Sequence, residues 1–109
     1  MIESCCDRYY CQVGANSYES SEYIVPDGRI LYVKEVGGNS ALASDVHVKL
    51  CWNPGGDDEA CLFATHGDDK QKTALGPFIG NGTKCVRISL NNDSSQTETI
   101  GCWWNGFLK

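Results

Sequence analysis

Val46-His47-Val48-Lys49-Leu50-Cys51-Trp52 and Cys61-Leu62-Phe63-Ala64-Thr65, joined by Asn53-Pro54-Gly55-Gly56-Asp57-Asp58-Glu59, read as two short strands around one turn. On the first leg Val46, Val48 and Leu50 fall on one side and His47, Lys49 and Cys51 on the other. That is the period-two alternation of a half-buried antiparallel strand. It turns Cys51 away from the core. A turn centred near Gly56 sets Cys61 opposite Cys51, on the same face and within cross-strand reach. Phe63 falls on the face of Cys61 in this register, so that face is expected to be partly covered.

Working outward, the chain repeats the same grammar. Upstream, Tyr23-Ile24-Val25 reads as a strand and Pro26-Asp27-Gly28 as a turn. Arg29 to Val36 reads as a longer strand ended by Gly37-Gly38, and Asn39 to Ser44 as a loop. Downstream, His66-Gly67-Asp68-Asp69 is a turn by composition. A weaker strand spans Lys72 to Ile79, interrupted by Gly76-Pro77, and Pro77 suits an edge strand where its missing N–H is not needed. After Gly80-Asn81-Gly82, the segment Thr83 to Leu90 alternates again, with Val86, Ile88 and Leu90 inward and Cys85, Arg87 and Ser89 outward. Asn91 to Gln96 turns the chain into a last strand, Thr97 to Phe107. About seven or eight strands separated by Gly, Asn, Asp and Pro turns predict an all-β fold, a single antiparallel β-sandwich of jelly-roll-like form. Residues 1–21 are polar, with Tyr9, Tyr10 and Tyr18 as the main apolar anchors. They read as a cysteine-bearing N-terminal arm, leaving 22–109 as the sandwich domain.

With 109 residues the chain suffices for one domain, which should bury roughly two-thirds of the surface its unfolded form exposes. Such a core needs no staples, so seven cysteines exceed what stability requires. The formal net charge of -5 and the scattered Lys and Arg argue against nucleic acid or an anionic membrane as partner. No apolar run approaches the roughly 20 residues of a membrane span, and Met1-Ile2-Glu3-Ser4-Cys5-Cys6 does not read as a signal peptide. High cysteine content without a leader has three resolutions. A leader was cut off, the thiols stay reduced or metal-bound, or the protein leaves its cell by lysis and oxidises afterwards.

Zinc requires clustered Cys or His ligands, and only Cys6 and Cys11 approach that spacing. No Cys-x-x-Cys redox motif occurs. A Cys–His nucleophile pair would have to use His47 or His66. Disulfides are the favoured reading. Cys51 with Cys61 would close the hairpin, and Cys85 with Cys102 would tie the last two strands if Leu90 sits opposite Thr97. The alternative makes Cys61 and Cys102 small core residues. An odd number leaves at least one thiol over, and Cys5, Cys6 and Cys11 on the arm are the candidates for intermolecular disulfides.

The acids Asp57-Asp58-Glu59 and Asp68-Asp69 lack the spacing of a calcium loop, so neither metal nor cofactor is expected. Trp52, Trp103 and Trp104, with Tyr32, are candidates for an aromatic interface or a sugar platform. The adjacent Trp103 and Trp104 are expected to split, one ring in the core and one at an interface. Asn81-Gly82-Thr83 and Asn92-Asp93-Ser94 match the glycosylation pattern but read as turns. No Gly-x-Ser-x-Gly, phosphate loop or carboxylate pair points to an enzyme.

The runs Val25 to Val33, Val48 to Trp52, Cys61 to Asp68 and Gly80 to Asn91 resemble small accessory structural proteins of tailed bacteriophage virions. The resemblance covers roughly residues 23 to 104 in pattern and spacing, and Cys51, Cys61 and Cys85 depart from it. It implies a β-sandwich that decorates or cements the head, or sits on the neck, collar or tail. Its partners would be itself and other virion proteins (major capsid, neck or tail), with no catalytic residues to carry over. Such a protein would be made in the host cytoplasm and exposed after lysis. A secreted glycan-binding module using the tryptophans is the rival expectation, and a zinc-bound interaction domain a third.

Overall fold

A computed structural model describes residues 2–40, 45–65 and 69–109. The strands are β1 (Glu3–Val13), β2 (Ser17–Ile24), β3 (Ile30–Ser40), β4 (Val46–Trp52), β5 (Ala60–Thr65), β6 (Asp69–Ile79), β7 (Cys85–Asn92) and β8 (Glu98–Leu108). They form two four-stranded sheets, ordered β1-β8-β3-β6 and β2-β7-β4-β5, with every ladder antiparallel. This is the eight-stranded, double-sheet jelly roll that the strand spacing predicted. Among the described residues, β4 and β5 are the only hydrogen-bonded neighbours that also follow each other in sequence. The hairpin is thus the one local pairing; the rest of the chain crosses between sheets.

The core lies between the sheets. Val46, Val48 and Leu50 of β4 and Val86, Ile88 and Leu90 of β7 point into it and are fully buried, as their alternation requires. Leu31, Val33 and Val36 of β3 and Ile100, Cys102 and Trp104 of β8 meet them from the other sheet. Tyr23 closes one flank, its ring edge-on to Trp104 at 5.2 Å.

Three expectations change. Residues 1–21 are not an arm outside the sandwich. Strand β1 pairs with β8 from Glu3 to Val13, and β2 pairs with β7 from Ser17. The inward positions of β1 are Cys5, Asp7, Tyr9, Cys11 and Val13, and only the last is buried outright. Ser21 donates a hydrogen bond to Asp7 at 3.2 Å across the open flank, so polar pairs stand where a central strand would carry aliphatics. Strand β3 does not end at Gly37-Gly38 but runs through both glycines to Ser40. A Cβ on Gly37 would stand 2.4 Å from the Trp103 ring, and one on Gly38 2.4 Å from Val48. The glycines therefore make room on both faces of a continuing strand. Finally, β7 and β8 do not pair: Leu90 lies opposite Glu19 and Val48.

The turns agree better. Pro77 lies on β6, an edge strand. Asn92 is wholly buried, donating to the carbonyls of Val13 at 2.9 Å and Gln96 at 2.7 Å while accepting from Ser94. Its amide locks two turns together, so it reads as a structural residue and not as a glycan acceptor. Asn81 accepts from the backbone of Thr83 and Lys84, the side-chain turn its position suggested. Of the loop expected from Asn39 to Ser44, Asn39 and Ser40 belong to β3, while 41–44 and the turn residues His66, Gly67 and Asp68 lie outside the described residues.

Candidate binding face

Alternation gives each sheet an outer face, and the two carry different chemistry. On β1-β8-β3-β6 the outward residues are Cys6, Arg8 and Tyr10 on β1, and Trp103, Asn105 and Phe107 on β8. Tyr32, Glu35, Gly37 and Asn39 on β3 complete the rows. Tyr10 stands opposite Gly101, and Trp103 lies between Arg8 and Gly37. A Cβ on Gly101 would fall 1.9 Å from the Tyr10 ring, so that ring lies down on the glycine, as Trp103 does on Gly37. The Arg8 guanidinium sits 5.2 Å from the Tyr10 ring centre. Further down, Tyr32 and Phe107 stack at 5.0 Å.

Two shallow clefts flank Trp103. One, of about 490 Å³, is lined by Tyr10, Gly38, Asn39, Asp69, Lys70 and Trp103. The other, about 280 Å³, runs past Cys6, Arg8 and Asn105. Asp69 caps its own strand start by accepting from the Lys70 backbone at 2.8 Å, and both residues line the cleft.

The sequence candidates separate accordingly. Trp103 is on the outer face and Trp104 in the core, the split expected of the pair. Trp52 is not a platform residue. It is buried against Phe78 at 5.1 Å and donates its indole N–H to Asp58 at 3.2 Å. Asp58 also accepts from Lys84 at 3.0 Å and from Asn53, and these bonds hold its carboxyl well below the usual carboxylate range. That acid is committed to the β4–β5 turn. The described residues contain no group of three or more potential metal-ligating side chains.

All seven cysteines are thiols. Cys51 and Cys61 face each other across β4 and β5, as the hairpin predicted. A register shift beside Cys51 leaves Leu62 unpaired, which turns Phe63 inward opposite Leu50 and leaves Cys61 exposed. Phe63 therefore does not cover Cys61. Cys85 and Cys102 are not a pair, for they belong to different sheets, Cys102 in the core between them and Cys85 on the far side of its own sheet. Cys102 is wholly buried in the core, which pushes its thiol up to about 12. Cys85 lies on the outer face of β7, where burial and then the Glu22 carboxylate push it up to about 11. It donates to Glu22 at 3.2 Å, beside the Glu22–Arg87 ion pair at 2.8 Å. Of the three N-terminal candidates, Cys5 and Cys11 turn toward the flank of the core and only Cys6 is exposed. His47 neighbours Asn91, with Nδ2 3.0 Å from Nε2.

The fold and this face define a small jelly-roll module. No family model and no curated protein matches the chain. Among solved structures it is similar to the Yersinia pseudotuberculosis-derived mitogen, with a TM-score of 0.58 at 12% identity, covering 92% of this chain and 84% of that one. At that identity the likeness is one of fold. The Drosophila NLP core, whose structure is described in terms of pentamer formation and histone binding, matches at a TM-score of 0.38 and 13% identity over 98% and 99% of the two chains. That score is too low to carry an argument.

Proposed function

We propose that the chain is a non-enzymatic structural module that decorates or cements a virus particle, docking by one end of its sandwich. The observation that carries this reading is a rim of exposed isoleucines. Ile2, Ile24 and Ile79 are 65%, 54% and 63% exposed. They emerge at the same end, where β1 begins and β2 and β6 finish. Single apolar residues on a surface are ordinary, but three spaced around one end give a partner that caps that end an apolar contact on each sheet. The turns around this rim are held in place by the Arg29–Glu3 pair at 2.9 Å and the Lys84–Asp58 pair at 3.0 Å. A surface already ordered loses little entropy on docking. The jelly roll itself is a fold that capsid and lectin domains share, which supports the reading by analogy.

Particles produced by the genome that encodes this chain supply the test. Antibody against the chain should detect it in density-gradient-purified particles, in constant ratio to the major capsid protein. Replacing Ile24 and Ile79 together by Asp should shift it to the unsedimented fraction. A wild-type chain that never sediments with the particles overturns the proposal. Non-reducing electrophoresis of the same particles addresses covalent cross-linking through Cys6, the N-terminal thiol left accessible.

A further inference from the structure

We infer that the cleft between Tyr10 and Trp103 is a binding site for a neutral saccharide. It lies toward the end of the sandwich opposite the isoleucine rim, since Tyr10 is near the close of β1 while Ile2 precedes its start. Docked by the rim, the module would hold this cleft outward.

Two glycines supply the first observation. A glycine in the middle of a strand weakens it and leaves a gap over the sheet. Here Gly101 and Gly37 each receive a ring from the adjacent strand. The rings lie along the sheet instead of projecting from it, and Tyr10 still keeps 41% of its surface exposed. A flat aromatic surface at the protein–water boundary suits the C–H face of a pyranose, whose slightly positive hydrogens meet the negative face of the ring. Covering a glycine with a cross-strand ring also steadies a sheet, but that role needs no polar groups around the ring.

The polar groups are the second observation. Asn39, Asp69 and Lys70 line the cleft with Tyr10 and Trp103, and Arg8, which lies over the Tyr10 ring from β1, must swing aside for a sugar to stack there. An amide offers both a donor and an acceptor, a carboxylate acceptors and an ammonium donors. Adjacent hydroxyls, each donor and acceptor at once, match that mixture. An anionic ligand would meet Asp69 and a chain of net charge -5. An all-apolar ligand would strand the rim groups. Ligand sites combine an apolar lining with a few placed polar groups in this manner, and a cleft so shallow, which leaves much of a ligand in solvent, predicts weak binding, with a Kd on the order of 1 mM.

The intact chain on an array of neutral oligosaccharides built from glucose, galactose, mannose and N-acetylglucosamine should retain at least one, with quenching of tryptophan emission by the same sugar in solution. Tyr10→Ala and Trp103→Ala should each weaken binding about tenfold or more. Gly101→Val, which evicts the Tyr10 ring, should match Tyr10→Ala. Asn39→Ala leaves both rings on their glycines and should still weaken binding by about three- to tenfold, so a ring variant that misfolds does not protect the claim. Tyr32→Ala, on the same face but outside the cleft, should bind as wild type. Retention of no sugar overturns the inference, as does sugar binding indifferent to Tyr10, Trp103 and Asn39, or tighter binding of a nucleoside than of every sugar. Sedimentation with particles is read separately, so losing either result leaves the other standing.

Discussion

On the outer face of β1-β8-β3-β6, aromatic rings lie on glycines and the polar groups stand at the rim. On the outer face of β2-β7-β4-β5, the Cys85 thiol stands against the Glu22–Arg87 pair and Cys51 faces Cys61. Both faces grow from the same alternation of strand residues, yet their energetics differ in kind. The first depends on steric fit, in which the absence of a side chain on one strand gives a neighbouring ring its place. The second depends on charge and on the oxidation state of sulfur, both of which the solvent sets. The first face should therefore respond sharply to added volume and weakly to pH, and the second the reverse.

The strongest way to break this contrast is to add one methyl group to the first sheet. A Cβ on Gly106 would lie 2.0 Å from the Tyr32 carbonyl oxygen, a backbone atom that cannot swing aside as an exposed ring can. Gly106→Ala is expected to destabilise the protein by about 3 kcal/mol, the range of a core overpacking change, measured by urea unfolding. A loss no larger than that of a surface substitution would show that the strands yield, and the steric account of this sheet would fail.

Next in size is a covalent change on the second face. Oxidation of Cys51 and Cys61 joins their sulfurs, releases two protons and passes two electrons to a disulfide oxidant such as oxidised glutathione. A bridge closing so short a loop should add about 2 kcal/mol, less any strain from the bulge at Leu62. The readout is a rise in melting temperature with oxidant, absent in Cys51→Ser. Alkylation under native conditions sharpens the same point. Cys6 and Cys61, the exposed thiols, should react first, and Cys102 only after unfolding.

How much of this could be read beforehand differs between the faces. The second was legible in part: Val46, Val48 and Leu50 announce which β4 residues point out and the turn pairs Cys51 with Cys61, but alternation does not foretell that Cys51 and Cys85 are buried on that face. The first was not. Edge strand β1 hides Tyr9 and Cys11 behind polar neighbours, and its open flank is closed by Asp7 and Ser21, polar residues that sequence reading places in an arm. Gly37-Gly38 looked like a strand end because a glycine's use as a seat for a ring depends on a partner more than sixty positions away, roughly the reach that makes such topologies slow to fold as well as hard to read. Trp103 and Trp104 show what can be deduced: strict alternation sends them to opposite sides, whichever side is which. Trp52 shows the limit, since its burial rests on Phe78 from the other sheet.

The smallest expected effect tests the electrostatic half of the contrast. The Arg87 guanidinium, and then the Cys85 thiol, lower the Glu22 pKa. A lowered carboxylate contributes stability above its unfolded value, and the contribution disappears as pH falls through the folded one. Glu22 is 44% exposed, so solvent screens the pair and Glu22→Gln should cost no more than about 0.5 kcal/mol at neutral pH, a difference that disappears as pH falls through the lowered carboxylate value. The same substitution should have a clearer chemical signature. Burial and then the Glu22 carboxylate raise the Cys85 thiol, so removing the carboxylate's charge lowers its pKa and increases its thiolate fraction. Alkylation of Cys85 at about pH 9 should then accelerate several-fold while Cys102 stays unreactive. An unchanged Cys85 rate would mean that burial alone sets this thiol, and the second face would then be governed by packing as the first is.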